Sequence, residues 1–368
     1  MNTGRDQSMN GDKGAVRIGV LYGGRSSEHE VSLRSGANVF RALIRSGHDP
    51  VPIFVARDGR FRLGDDVGGE TLTAPETGPE LCLPPGGGGR LVAFEREGAR
   101  DRPPIQALFP VLHGLHGEDG TMQGLADVIG LPLIGCGLLG SAVALDKSVA
   151  KRLLREGGLP VARDKILRRG QGVEFAGVTA ALGTPVFVKP ARQGSSVGVA
   201  KADSKETFQA ALAEAFRHDD VVLVEEFVAG REIEFSILET AEGEIRVSRA
   251  GEIAPAESHG FYTYDAKYRD PQGATLIAPA ALSGDLEDVM RDTAREAFRA
   301  LGCDGLARVD FFLRADGSFV VNEVNTMPGF TDISMYPRAF AASGLAYDDL
   351  VDALVRQGMA RFRRSSGR

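Results

Sequence analysis

No tryptophan occurs in this sequence, and only three cysteines do: Cys82, Cys136 and Cys303. None lie close together in the chain, and an odd number gives no disulfide framework, so a reducing compartment is expected. No run reaches the ~18 consecutive apolar residues of a membrane-spanning helix. Positive charge is not in excess either. The formal net charge of -7 excludes a general attraction to nucleic acid or anionic membrane, so an anionic substrate must be held by local cations. The short basic clusters Arg168–Arg169 and Arg361–Arg364 read as solvated surface. Residues 1–14 are polar and lack the apolar core of a secretory signal; they are expected to form a disordered leader.

What is present is a globular composition. The chain has 368 residues, 43% hydrophobic and 25% charged, a length that points to two or three domains. VRIGVLYGG reads as a buried strand from Val16, followed by a helix from about Ser32 and a second strand, DPVPIFVA. This strand–helix–strand start opens a parallel α/β layer. Residues 64–89 lack periodicity and read as a surface excursion. IQALFPVL then leads into HGLHGEDG and a helix near Thr121. A helix over 146–156 starts a new unit, followed by strand PVFVKPA, a glycine-rich turn, strand VGVAKA, helix 204–217 and strand VVLVEEFV. Beyond Gly230 come strands EIEFSIL and EIRVSRA, an irregular segment 255–275, helix 284–301, strands 306–313 and 318–324, and a last helix, 345–361.

LARVDFFLRADGSFVVNEVN carries the strongest signal. Asp316-Gly317 suits a two-residue hairpin turn. In that register Asp310 faces Glu323 and Arg308 faces Asn325, and alternation puts all four on one face. Two facing carboxylates repel unless a cation lies between them. Oxygen ligands of this kind suit magnesium, and Arg308 beside them can bind a transferring phosphoryl group. A solvated hairpin face is the alternative.

A second signal is Lys189-Pro190 before the turn Gln193 to Gly198. Gly194 and Gly198 let backbone N–H groups approach a phosphate, and Lys189 can reach the same anion. No GxxxxGK[ST] loop is present. Lys147, in the first turn of its helix, is a second possible phosphate contact. Strand VVLVEEFV ends in Glu225 and Glu226 at a domain break, a place for a flat ligand such as adenine. His113 and His116 have HxxH spacing, yet no further ligand lies nearby for zinc. Ser27 and Glu30 have the spacing of a capping box ahead of the first helix. GVLYGGRSSEHE lacks the G-x-G-x-x-G of a dinucleotide fold.

Together GGRSSEHEVSLRSG, LHGLHGEDGTMQG, LDKSVAKRLLREGGLPVA, VFVKPARQGSSVGV, FYTYDAKY, RVDFF and NEVNTMPGFTDISMYP resemble, in order and spacing, the D-alanine–D-alanine ligase family of the ATP-grasp superfamily, over about Val16 to Met359. The resemblance implies an α/β chain with an α+β C-terminal part, in a three-domain ATP-grasp architecture. Its domains would be a Rossmann-like parallel α/β domain (15–136), a central subdomain with the glycine-rich loop (137–229) and a C-terminal subdomain with the metal and substrate site (230–368).

The resemblance also implies a role for each matching residue. Lys147, Lys189 and the turn with Gly194, Ser195, Ser196 and Val197 would hold ATP phosphates. Glu225, Glu226, Phe227, Val228 and Glu232 would hold adenine and ribose, with Asn322 and Glu323 also on the nucleotide. Asp310, Glu323 and Asn325 would bind two magnesium ions, with manganese able to substitute, and Arg308 would stabilise the phosphoryl transition state. Glu28 and His113 would meet the first D-alanine; Ser334 and Met335 would receive the second substrate's carboxylate, and Gly329 would bind substrate at the oxyanion-side turn. Segment 258–269 resembles the family's mobile loop. In it Lys267 would cover the phosphates, and Tyr268 would link to Ser195 and Glu28 and favour D-alanine over D-lactate. The implied activity is ATP-dependent formation of D-alanyl-D-alanine through D-alanyl phosphate, in the cytoplasm, by a homodimer. A D-lactate or D-serine ligase, another carboxylate–amine ligase and a non-catalytic nucleotide-binding module remain alternatives.

Overall fold

The computed structural model describes residues 14–255 and 273–366. Lys267 and Tyr268 lie outside the described residues. Three sheets organise the rest. The first holds β1 (Arg17–Gly23), β2 (Asp49–Val55), β3 (Phe61–Leu63), β4 (Glu80–Cys82), β5 (Leu91–Glu95), β6 (Gly98–Arg102) and β7 (Ala107–Pro110), in the order β6-β5-β4-β3-β2-β1-β7. Helix α1 (His29–Arg45) packs on β1 through Leu33, Ala37 and Phe40, the apolar stripe its spacing anticipates. Only β2-β1-β7 is parallel; the remaining pairings are antiparallel.

That antiparallel extension corrects the surface-excursion reading of 64–89. The segment contributes β4, and Leu72, Leu81 and Leu83 are buried. Strands of three residues are too short to show alternation, which is why the pattern is absent from the sequence.

The second sheet is antiparallel: β8 (Asp164–Arg168), β9 (Val186–Pro190), β10 (Ala200–Ala202) and β11 (Val221–Glu226), in the order β10-β9-β11-β8. Helices α5 (Phe175–Leu182) and α6 (Lys205–His218) share its core through Val178, Leu182, Phe208 and Ala211. Ser204 and Thr207 exchange hydrogen bonds at the start of α6, a reciprocal cap that fixes its first turn.

The third sheet runs β15-β14-β12-β16-β17, with β13 on β12. Its strands are β12 (Arg231–Glu239), β13 (Ile245–Val247), β14 (Gly251–Pro255), β15 (Ala274–Ile277), β16 (Leu306–Leu313) and β17 (Phe319–Asn325). Thus 255–275 is not irregular at its end, since β15 begins there. Helix α7 (Gly284–Ala300) buries Met290, Ala294, Ala297 and Phe298 against this sheet.

Four helices connect or close the sheets: α2 (Thr121–Ile129), α3 (Leu138–Leu145), α4 (Lys147–Glu156) and α8 (Met335–Ala342), ahead of the final α9 (Tyr347–Ser366). The last helix expected at 345–361 forms as α9, and a further helix, α8, precedes it, separated from it at Gly344 with φ 86°. Leu350, Val351, Leu354 and Val355 of α9 join the core of β1 and α1. The first sheet is thus covered by residues from both ends of the chain. Among the described residues no helix is long and apolar enough to cross a membrane.

Candidate active site

The carboxylate hairpin forms with the expected pairs, though by a different route. Asp310 faces Glu323 and Arg308 faces Asn325, but Phe311 faces Val321. Near the tip, Arg314 N–H donates to the Ser318 carbonyl at 2.8 Å and Gly317 N–H donates back to the Arg314 carbonyl at 3.1 Å. The loop is therefore three residues, 315–317, with Gly317 at φ 82°, and not the expected two. Asn322 is the extra residue of a β-bulge that restores the register. The bulge also brings Asn322 and Glu323 together on the wall of one cleft.

β12 adds a carboxylate that the sequence reading passes over. Glu234 faces Asp310 across β12 and β16, so Glu234, Asp310 and Glu323 form one cross-strand row. Arg308 holds this row together. Its Nε and Nη2 donate to the two Asp310 oxygens at 2.7 Å each, and Nε lies 3.1 Å from Glu234 Oε2. Burial disfavours the guanidinium charge, yet Asp310 and Glu234 outweigh it and raise the Arg308 pKa well above its ordinary value. Asn325 Nδ2 donates to Asp310 Oδ2 at 2.8 Å. Glu232, two residues before Glu234 on the same face, was the available signal for finding it.

The second sheet supplies the opposite wall. Asp146 caps α4 by accepting from Ser148 and Val149 N–H, so Lys147 sits at the helix start. Lys147 Nζ donates to the Gln193 carbonyl at 2.8 Å and lies 3.5 Å from Glu323 Oε2. Lys189 Nζ lies 2.6 Å from Glu225 Oε2. Ser195 and Ser196 have φ of 51° and 58°, a left-handed backbone that non-glycine residues adopt at a cost. Gly198, at φ 70°, has no room for a side chain: a Cβ would lie 2.7 Å from His218 Cδ2 and 2.9 Å from Pro190 Cγ.

Lys147, Lys189, Ser195, Ser196, Glu225, Glu226, Phe227, Val228, Glu232, Arg308, Asp310, Asn322 and Glu323 line one cleft of about 470 Å³ between the second and third sheets. Part of its wall is apolar and aromatic. Phe187 and Phe227 lie 5.9 Å apart, and Lys201 Nζ sits 5.0 Å from the Phe227 ring. The Glu226 carboxylate is turned away to Arg163, accepting from its N–H at 2.9 Å and its Nε at 2.7 Å.

Gly329, Ser334 and Met335 line a separate, larger cleft with Ser27 and Arg34. Ser334 precedes α8; its hydroxyl lies 2.7 Å from that of Thr331 and accepts from Thr331 N–H at 3.1 Å. The Met335 side chain is buried beside Gly251. Glu234, Ile253 and Arg308 belong to both clefts, which therefore meet at the carboxylate row.

Glu28 and His113 line neither of these two clefts. Glu28 is buried at the start of α1, and the expected Ser27–Glu30 capping box is not formed: α1 begins at His29, and Glu30 instead pairs with Arg57 at 3.2 Å. His113 is buried between the Met327 carbonyl (3.0 Å) and the Ser35 hydroxyl (3.3 Å). Gly194 lies close to two carboxylates: a Cβ there would sit 3.5 Å from both Glu28 Oε2 and Glu118 Oε1. Glu118, in HGLHGEDG, is another residue the sequence reading misses. Burial and then the Glu28 carboxylate push it up to about 8, so it keeps a proton at neutral pH. Val197 N–H donates within the turn to the Gly194 carbonyl at 3.1 Å.

Among the described residues, no three His, Cys, Asp or Glu side chains converge as a metal cage. Asp310, Glu323 and Asn325 nonetheless form a hard-oxygen donor set, and cationic side chains already approach both carboxylates. Such a set fits a small divalent cation that takes its remaining ligands from water and phosphate.

Two families match the chain: "D-ala D-ala ligase N-terminus" over residues 17–136 and "D-ala D-ala ligase C-terminus" over 153–356. D-alanine–D-alanine ligase A of Mesorhizobium japonicum is 52% identical over 355 residues, covering 95% of this chain and 99% of the relative. D-alanine–D-alanine ligase B of Bradyrhizobium diazoefficiens is 47% identical, covering 97% and 96%. Among solved structures, the D-alanine–D-alanine ligase of Coxiella burnetii superposes with a TM-score of 0.81 at 31% identity, covering 96% of each chain. The VanG D-Ala:D-Ser ligase of Enterococcus faecalis gives 0.80 at 32%, covering 94% of this chain and 99% of its own. Fold and sequence together put the protein among the ATP-grasp ligases, mixed α/β enzymes of several domains. Within that class, the chain belongs to the D-alanine–D-alanine ligase family.

Proposed function

We propose that this enzyme joins two D-alanine molecules, using ATP, by way of D-alanyl phosphate. The observation that carries the reading is the meeting of two clefts at Arg308. One has lysines and a partly aromatic wall suited to a nucleotide; the other has the α8 N-terminus suited to a carboxylate. A phosphoryl group leaving ATP in the first cleft would reach a carboxylate oxygen presented from the second.

In this reading Phe227, Val228, Glu225, Glu226 and Glu232 hold adenine and ribose, and Asn322 helps close the wall. Lys147, Lys189 and the turn through Gly194, Ser195, Ser196 and Val197 hold phosphates. Arg308 offsets charge on the transferring group. Asp310, Glu323 and Asn325 would hold magnesium, or manganese in its place; when bound, it would neutralise phosphate charge. Glu28 receives the ammonium of the first D-alanine, and His113 is fixed beside its carboxylate. Ser334 and the Met335 N–H receive the carboxylate of the second, with Gly329 at the oxyanion-side turn, and the amine of this second D-alanine attacks the acyl carbon as phosphate leaves. Lys267 and Tyr268 would complete the cover that keeps water from the acyl phosphate. We read the three sheets as domains 15–136, 137–229 and 230–368, the first carrying the Rossmann-like layer β2-β1-β7, in a cytoplasmic homodimer.

The test is phosphate release from ATP and magnesium with D-alanine, L-alanine, D-serine plus D-alanine, and D-lactate plus D-alanine, with product masses read in parallel. Release and a D-alanyl-D-alanine mass with D-alanine alone are expected. Asp310→Asn and Glu323→Gln should lose at least about 100-fold in turnover, and wild-type activity in either would sink the metal-site assignment. The D-Ala:D-Ser ligase of similar fold keeps a second reading open; a mixed product formed in preference from D-serine would favour it.

A further inference from the structure

A buried charge cluster ties two residues of the nucleotide cleft, Lys189 and Glu225, to a third, Lys151, to which the reaction assigns no part. Glu225 is 5% exposed and is shared by two ammonium groups, one on each oxygen: Lys189 Nζ lies 2.6 Å from Oε2, and Lys151 Nζ donates to Oε1 at 2.7 Å. Lys189 lines the cleft, and Lys151 does not. Lys151 is 3% exposed and sits one turn after Lys147 on α4, facing the same sheet. Its other partner is Asp164, at 3.5 Å, which stands directly opposite Glu225 across β8 and β11 and is also paired with Arg155.

This arrangement sets a problem for nucleotide binding. Lys189 can turn to a phosphate only by loosening its contact with Glu225. A buried carboxylate deprived of its sole counter-ion is strongly destabilised, so with one lysine the exchange would be unfavourable. With two, Glu225 keeps a partner when Lys189 leaves. We infer that Lys151 is a positioning residue: it holds Glu225 and Asp164 so that Lys189 is released to the phosphates of the bound nucleotide. The inference rests on the reading of Lys189 as a phosphate ligand.

The titration directions agree. Burial would raise the Glu225 pKa, but Lys189 and Lys151 overcome it and hold the carboxyl down at about 2. Burial lowers the Lys151 pKa, Glu225 offsets this only in part and the charge of Lys189 adds to the lowering, which together leave it at about 8. Departure of Lys189 therefore relieves a repulsion on Lys151 while leaving Glu225 ionised and paired.

The experiment measures dissociation constants of adenosine and ATP for the full chain, and takes their ratio as the contribution of the phosphates. Lys189→Met should lower that ratio about 10-fold or more. Lys151→Met should lower it by a similar factor with adenosine affinity unchanged, and Lys151→Arg should retain it. The double variant Lys151→Met/Glu225→Gln should recover the ratio of Glu225→Gln alone, because a neutral residue 225 no longer competes for Lys189. If Lys189→Met leaves the ratio unchanged, the phosphate reading of Lys189 fails and the inference with it. If Lys189→Met lowers the ratio but Lys151→Met does not, or the double variant shows no recovery, the positioning role alone is overturned. Should Lys151→Met not fold, the comparison of Glu225→Gln with the double variant decides. Equal ratios support the role, and a 10-fold drop in the double variant refutes it.

Discussion

At the scale of single residues, the site depends on like charges made tolerable by where the cations stand. Arg308 is held by two carboxylates on adjacent strands, and Lys147 reaches across from α4 to Glu323. Glu118 shows the opposite solution. With Glu28 near and little solvent, it keeps its proton, accepting a hydrogen bond from Gly114 N–H at 3.0 Å. The sign of its effect on stability follows. Below the ordinary value of 4.5 both folded and unfolded chains are protonated. As the pH rises from there to about 8, the unfolded chain loses a proton that the folded chain keeps, so stability declines through that window. The full penalty above it is on the order of 5 kcal/mol. Glu118→Gln keeps an acceptor for Gly114 and cannot titrate. Urea unfolding at pH 5 and pH 9 should show a smaller loss of stability in this variant than in the wild type, and equal losses would refute the assignment.

At the scale of elements, turns decide what strands alone cannot. The 315–317 loop and the Asn322 bulge each shift the hairpin by one residue in opposite senses, so the pairing of Asp310 with Glu323 survives. The glycine-rich turn works through backbone conformation, with left-handed Ser195 and Ser196 and a Gly198 whose pro-Cβ space is taken by His218 and Pro190. Gly198→Ala should cost about 1–3 kcal/mol in stability. It should also weaken ATP binding while leaving adenosine binding intact, since a Cβ at Gly198 meets His218 and Pro190 and neither Phe187 nor Phe227. Calorimetric titration with both ligands checks this, and an equal loss for both would place the turn away from the phosphates.

At the scale of the whole molecule, the first sheet cannot be completed by its own segment of chain. Leu350, Leu354 and Val355 of α9 pack with Ile18, Val20 and Ala37. Arg361 reinforces this closure: Nη2 donates to the Leu133 carbonyl at 2.8 Å and Nη1 to the Gly135 carbonyl at 2.9 Å. Arg361 therefore has structural partners, and the solvated reading of the 361–364 cluster does not hold for it. Leu354→Ala should lower unfolding free energy by about 3 kcal/mol, read as a shift in denaturant midpoint. A fragment ending at residue 136 should show no cooperative transition. A fragment that unfolds cooperatively would mean that α9 is dispensable to that core.

Much of the site was legible because its chemistry is local in sequence. Strand alternation around RVDFF and NEVN put Arg308, Asp310, Glu323 and Asn325 on one face. The spacing of Lys189 from its glycine turn announced an anion site. Short strands such as β4 carried no period to read, Glu118 and Lys151 gave no signal as isolated charges, and Glu234 was marked only by its alternation with Glu232. Tertiary structure alone decided that Glu234 would complete the carboxylate row, that Lys151 would share Glu225 with Lys189, and that the last helix would close the first sheet. Sequence by itself determined the longer strands and helices, the glycine-rich turn and the reactive side chains of the hairpin, because periodicity and backbone preference act over a few residues. Which charges share a buried site was left to packing, because burial and pairing are set by neighbours that may lie hundreds of residues away.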